Sequence, residues 1–206
     1  MMATDAARLR TVVADAAFLS PLKKNKNGQP CILLQEEKNP DSKLLVIGAP
    51  EDLLILRADK FVPLLLEKTD RDGYHFHGTS FFRDGTGAGK RADYILFDMT
   101  GKHVIFLELK ASKESEEHIK AQLAGAYAVL DYIRRVATHY HNLNQNEFIG
   151  PDFSLRFVGM CKTGYAIRKR PTKFTTTGRG KSINDFLRFS GTSEIHYSQL
   201  CGHCAS

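Results

Sequence analysis

Asp93, Glu108 and Lys110 are the residues whose types and spacing carry the most chemistry in this chain of 206 residues. They stand in KRADYILFDMTGKHVIFLELKAS, residues 90–112, where two nearly apolar runs flank Met99-Thr100-Gly101-Lys102. Such runs read as buried strands, and burying a charge is costly unless it is paired. If Thr100-Gly101 is a two-residue hairpin loop, Met99 faces Lys102 and the pairing continues outward until Asp93 faces Glu108. Opposed side chains share a sheet face with Cβ atoms within about 5.5 Å. Glu108 and Lys110 share that face too, because side chains along a strand repeat every two residues. Two carboxylates this close repel unless a cation joins them or one is protonated. Carboxylate oxygens and water are what Mg²⁺ prefers, and a substrate phosphate can complete its octahedron. Lys110 would then reach a phosphate oxygen or an attacking water. The plain alternative is a salt-bridged Asp-Lys-Glu cluster at a strand end, where water screens the charges.

The elements that must position these residues follow from periodicity. Residues 114–138 read as the clearest helix: Ile119, Leu123, Ala126, Leu130, Ile133 and Ala137 step along one face of a 3.6-residue repeat. Glu114, Glu116 and Glu117 crowd its start and Arg134 and Arg135 lie towards its end, matching the helix dipole. CILLQ, KLLVIGA and SLRFVGMCK read as strands, and YHFHGTSFF as a looser one. A first helix is expected over about residues 4–19, stopped by Ser20-Pro21. The stretch from Ala58 to Lys68 has helical character interrupted by Pro63. Helix, strands, helix, strand is the order of one mixed α/β domain spanning residues 1–206, with neither repeat nor linker.

The chain is long enough for one full-sized core, and its 42% hydrophobic and 25% charged residues are ordinary for a globular protein. No apolar run approaches the roughly 20 residues of a membrane span. The N-terminus lacks the basic-then-apolar order of a signal peptide, so a cytoplasmic location without membrane contact is expected. The net charge of +6 is unevenly placed: residues 151–190 hold nine Lys or Arg against Asp152 and Asp185. Such a basic segment suits a polyanion, or is simply a solvated face.

Other motifs carry less. The loop from Asp84 to Arg91 lacks the first Gly and the final Ser or Thr of a phosphate-binding loop, and a strand follows where a helix is needed. His75 and His77, like His139 and His141, have ligand-like spacing without a second pair nearby, which favours surface histidines. Cys31, Cys161, Cys201 and Cys204 do not form a disulfide framework in so long a chain. Cys201-Gly202-His203-Cys204 is expected to be a disordered tail, with half a zinc site as the alternative. Phe81, Phe82 and Tyr94 could stack RNA bases, or equally serve as core.

Asp93, fourteen residues, then Glu108-Leu109-Lys110 resembles the PD-(D/E)XK, or restriction-endonuclease-like, nuclease superfamily. The likeness covers about residues 74–162: apolar strand, turn, apolar strand, then a long helix. Ala92 stands where the signature has Pro. Gln122 and Tyr127 approximate the Gln-x-x-x-Tyr of some branches, one residue too far apart. The resemblance implies a restriction-endonuclease-like core, a central mixed β-sheet flanked by helices. It implies that Asp93 and Glu108 hold Mg²⁺, with Mn²⁺ as a substitute and the Leu109 carbonyl as an extra ligand, and that Lys110 is catalytic. A further upstream acid would be Glu51 or Glu67. The implied activity is hydrolysis of phosphodiester bonds in DNA, with RNA still open as substrate, in restriction or defence against phage, alone, as a homo-oligomer or with a partner protein. Lys90, Arg91 and the stretch from Arg168 to Lys181 would track the phosphate backbone. The alternative is a nuclease-like module that docks on nucleic acid or protein without cleaving.

Overall fold

The structure, a computed structural model, describes residues 4–19, 23–35, 42–58, 90–110, 114–143, 148–161, 175–177 and 179–202. The expected features at residues 59–89 and 162–174, including Glu67, His75, His77, Phe81, Phe82 and Arg168 to Lys173, lie outside these.

Chain alternation builds a mixed α/β architecture with two mixed sheets. The larger sheet contains β4 (Leu54–Arg57), β5 (Tyr94–Asp98), β6 (His103–Lys110), β7 (Ser154–Cys161), β9 (Leu187–Ser190) and β8 (Thr175–Thr177), in that order. β4, β5 and β6 are antiparallel, β6, β7 and β9 parallel, and β8 returns antiparallel at the edge. The smaller sheet has β1 (Lys23–Lys24), β2 (Pro30–Gln35) and β3 (Lys43–Ile47) antiparallel, with β10 (Glu194–His196) parallel to β3.

Both faces of the larger sheet are covered, which explains why β5 and β6 are almost wholly apolar. Ile95, Phe97, Val104, Phe106 and Phe157 pack under α1 (Asp5–Val12) and α2 (Glu116–His141). Leu96, Ile105, Leu107, Val158 and Met160 face Ile32, Leu34, Leu44 and Val46 of the smaller sheet and Tyr197 and Leu200 of α3 (Tyr197–Leu200). Along β6, Glu108 and Lys110 therefore belong to the helical side, in line with Val104 and Phe106.

The β5–β6 register is the expected one, with Tyr94 opposite Leu107 and Asp98 opposite His103. The loop is longer than expected: the strands stop at Asp98 and His103, so Met99–Lys102 all belong to it. The Asp98 carboxylate replaces the innermost pair by accepting from Gly101 N–H at 2.6 Å. Lys102 adopts the left-handed φ of 55°, and its ammonium lies near Asp5 and Asp152 and over the Phe153 ring. Opening a two-residue loop by one pair leaves the outer register unchanged, so the alignment of Asp93 with Glu108 survives.

Several expectations are corrected. The first helix ends at Val12, followed by a separate 3₁₀ turn at Asp15–Ala17. Phe18 then bridges to Leu56, and Leu19 N–H bonds to the Ile55 carbonyl, so tertiary sheet contacts override the helical pattern. α2 starts at Glu116 with Ser115 as its cap and runs on to His141. Cys201 is no tail residue: it is 3% exposed and ends α3, packed beside Tyr197. Tyr94 is 3% exposed and its hydroxyl donates to the Gln35 carbonyl, which removes it as a base-stacking surface. Among the described residues no helix is long and apolar enough to cross a membrane.

Candidate active site

Asp93 sits one residue before β5, where the backbone ladder with β6 stops. Side chains take over there. Asp93 N–H donates to Glu108 Oε2 at 3.1 Å, and Leu109 N–H donates to Asp93 Oδ2 at 2.7 Å. Each carboxylate thus holds a backbone amide of the other's strand, and the two acids are clasped together. Asp93 is also tied to β4 through its carbonyl, which accepts from Ala58 N–H at 2.9 Å.

Glu108 is fully buried. Burial first, and the Asp93 charge second, push its carboxyl up to about 8 against the pull of Lys110. Lys110 Nζ lies 2.5 Å from Glu108 Oε1. The ammonium thus sits directly against one buried carboxylate oxygen, while Oε2 takes the Asp93 amide. Desolvation and the second carboxylate outweigh the pull of that single ammonium, which is an energetically unfavourable arrangement for a purely structural ion pair. The all-oxygen donor set fits a hard divalent cation such as Mg²⁺ or Mn²⁺, with water and substrate oxygens filling the remaining positions. Among the described residues no third His, Cys, Asp or Glu joins the two acids in a group able to hold a metal ion.

The helical layer closes over this end of the sheet. The Gln122 carbonyl accepts from Ala92 N–H at 2.8 Å, immediately before Asp93. Gln122 Oε1 is a buried acceptor without a hydrogen-bonding partner among the described residues. Tyr127 does not join it. Its ring, partly exposed at the surface, packs edge-on against Phe106 and Phe157 from the rim of the core.

Glu51 lies in the turn before β4, beside Asp52, whose carboxylate binds the Thr100 hydroxyl. That is the hairpin end of the sheet, so Glu51 is excluded as the upstream acid. His139 and His141 are exposed at the end of α2, as surface histidines. Lys90 is exposed and Arg91 half-buried beside the centre, whereas Arg156 reaches the Arg179 carbonyl on the distal side.

One cation that sequence reasoning left among the general basic residues belongs to the row of the site. Glu108 is opposite Gly159 on β7, and Gly159 is opposite Arg188 on β9. Arg188 pairs with Glu116 in the first turn of α2 at 3.2 Å. Its alignment depends on parallel pairing between distant segments, for which the sequence has no local signal. Comparison with family models, with curated proteins and with solved structures finds no match to this chain.

Proposed function

We propose that the chain is a divalent-metal-dependent nuclease of the restriction-endonuclease-like kind, hydrolysing phosphodiester bonds in DNA. The observation that carries this reading is the mutual clasp of Asp93 and the buried, proton-holding Glu108, with Lys110 Nζ beside it. Such a pair keeps a proton in place of its second negative charge and is primed to exchange that proton for a metal ion.

In this reading Asp93 and Glu108 hold the metal, which when bound polarises the scissile phosphate and acidifies the attacking water. The Leu109 amide orients Asp93, and the Asp93 amide orients Glu108, so the ligands are set before any substrate arrives. Lys110, whose ammonium lies beside Glu108 Oε1, would steady the attacking water or the negative charge developing on the phosphate. Lys90 and Arg91, which lead into Asp93, would supply phosphate contacts.

The test is incubation of supercoiled plasmid, linear DNA and RNA with the protein and Mg²⁺ or Mn²⁺, against chelator. DNA cleavage that requires the metal is expected. Asp93→Ala and Glu108→Ala should abolish it with the fold retained, and Lys110→Met should lower the rate by roughly 10²–10³-fold at any metal concentration. Cleavage by Glu108→Ala at the wild-type rate would remove this centre from the reaction. Metal-dependent binding without cleavage of either nucleic acid would convert the reading to that of a docking module.

A further inference from the structure

A glycine in the middle of a long helix is unfavourable, because it gives up more backbone entropy than alanine and has no side chain to pack. Gly125 occupies such a place in α2, without the left-handed φ that would call for glycine. Its reason is space. A Cβ added there would lie 1.6 Å from the Lys90 carbonyl oxygen, 2.7 Å from the Lys90 carbonyl carbon and 3.3 Å from Arg91 Cα. All three are backbone atoms, which cannot swing aside as a side-chain tip can. One helical turn earlier, the Gln122 carbonyl accepts from Ala92 N–H at 2.8 Å. Lys90 to Ala92 are therefore laid on α2 at two points, one a close approach and the other a hydrogen bond. Asp93 is the next residue.

We infer that Gly125 is a positioning residue: the seat it opens on α2 sets where the chain enters β5, and so fixes Asp93 against Glu108. The consequence for cleavage rests on the nuclease reading, but the positioning itself does not. A methyl group at 125 forces the 90–92 backbone to retreat by roughly 1.8 Å to reach ordinary contact. The bond from Leu109 N–H to Asp93 Oδ2, 2.7 Å long, and that from Asp93 N–H to Glu108 Oε2, 3.1 Å long, do not survive a shift of that size. Ala58, bonded to the Asp93 carbonyl, holds the following residues to β4, so the displacement concentrates at residues 90–93.

The experiment is Gly125→Ala, read by amide hydrogen exchange on the metal-free protein and by titration with Mn²⁺ alone. Asp93 and Leu109 amides are expected to exchange about tenfold faster or more, while Phe106 and Leu123 keep their protection. Mn²⁺ affinity should fall about 10–100-fold, and cleavage, in an active nuclease, by about 10²-fold. Alanine is the better helix former, so an incidental glycine would leave the variant more stable with both amides still protected, and that result overturns the inference. Lowered stability with unchanged protection at Asp93 and Leu109 overturns it as well. If Gly125→Ala fails to fold, an ester in place of the Ala92 amide (lactic acid at position 92) removes the N–H at the second point of the seat without adding a proline ring and leaves Gly125 in place. The same two amides should lose protection, and their full retention overturns the inference. Wild-type protein that binds no Mn²⁺ would sink the nuclease reading, while the exchange of Asp93 and Leu109 still decides the role of Gly125.

Discussion

Burial and the neighbouring Asp93 charge hold the Glu108 carboxyl protonated up to about 8, far above its ordinary range. The unfolded chain releases that proton near pH 4.5, so between these values the folded state binds more protons than the unfolded one. Stability of the metal-free protein is therefore highest at the acidic end of this window and is lost as pH rises through 8. The expected loss is on the order of a few kcal/mol between pH 5 and pH 9. Urea unfolding across that range checks it, with Glu108→Gln as the control whose neutral amide should flatten the dependence. Added Mn²⁺ should restore wild-type stability at high pH and leave Glu108→Gln nearly unaffected. A wild-type profile as flat as that of the variant would mean that Glu108 is an ordinary ionised carboxylate.

Two elements bring the charges together, the β5–β6 hairpin and α2. The hairpin aligns Asp93 with Glu108 by register alone, while α2 seats the chain that enters β5. α2 is buried along Ile119, Leu123, Ala126, Leu130 and Ile133, and its first turn is held by Ser115, whose hydroxyl accepts from His118 N–H at 3.2 Å. Glu116 in that turn pairs with Arg188, on the row of the centre. Ser115→Ala should remove about 1 kcal/mol of stability through loss of the cap, measurable by chemical denaturation. Gly125 and Gln122 lie two to three turns further along, so the seat of Lys90 to Ala92 should keep its form. Cleavage by this variant is expected to stay near the wild-type rate.

Across the whole molecule the larger sheet is gripped from both faces, and the charges are sorted to opposite ends of β5. Asp93 stands at one end. Asp98, about 16 Å away along the strand, accepts from the Tyr197 hydroxyl at 2.8 Å and joins the hairpin to α3. This buried bond locks the smaller sheet and α3 onto the larger sheet, and burial holds the Tyr197 phenol protonated. Tyr197→Phe takes one donor from a carboxylate that is 3% exposed, while Gly101 N–H still serves the other oxygen. A loss of about 1–3 kcal/mol is expected in urea unfolding. Metal affinity and cleavage should be unchanged, since nothing at the Asp93 end moves; a parallel loss of activity would mean that the two ends are coupled.

The sequence by itself determined the parts that local periodicity encodes. Two apolar runs, residues 94–98 and 103–110, with a turn centred on Thr100-Gly101 between them, oppose Asp93 and Glu108, because lengthening the loop by one residue on each side preserves the register. The apolar stripe from Ile119 to Ala137 likewise determined α2 to within a few residues. Tertiary structure decided what depends on partners far away in the chain. β4 and β10 are short and become strands by pairing with β5 and β3, and Phe18 leaves the helix to reach Leu56. Cys201 is buried because α3 is bonded to Asp98 through Tyr197 and packs into the cluster that both sheets share. The protonation of Glu108 also belongs to the fold, since desolvation is a property of the assembled layers and not of Glu-x-Lys spacing. Even Gly125, visible as an odd residue in a regular helix, acquires its meaning only when the chain from Lys90 is laid against it, because a close approach between backbones separated by more than thirty residues leaves no periodic trace in either segment.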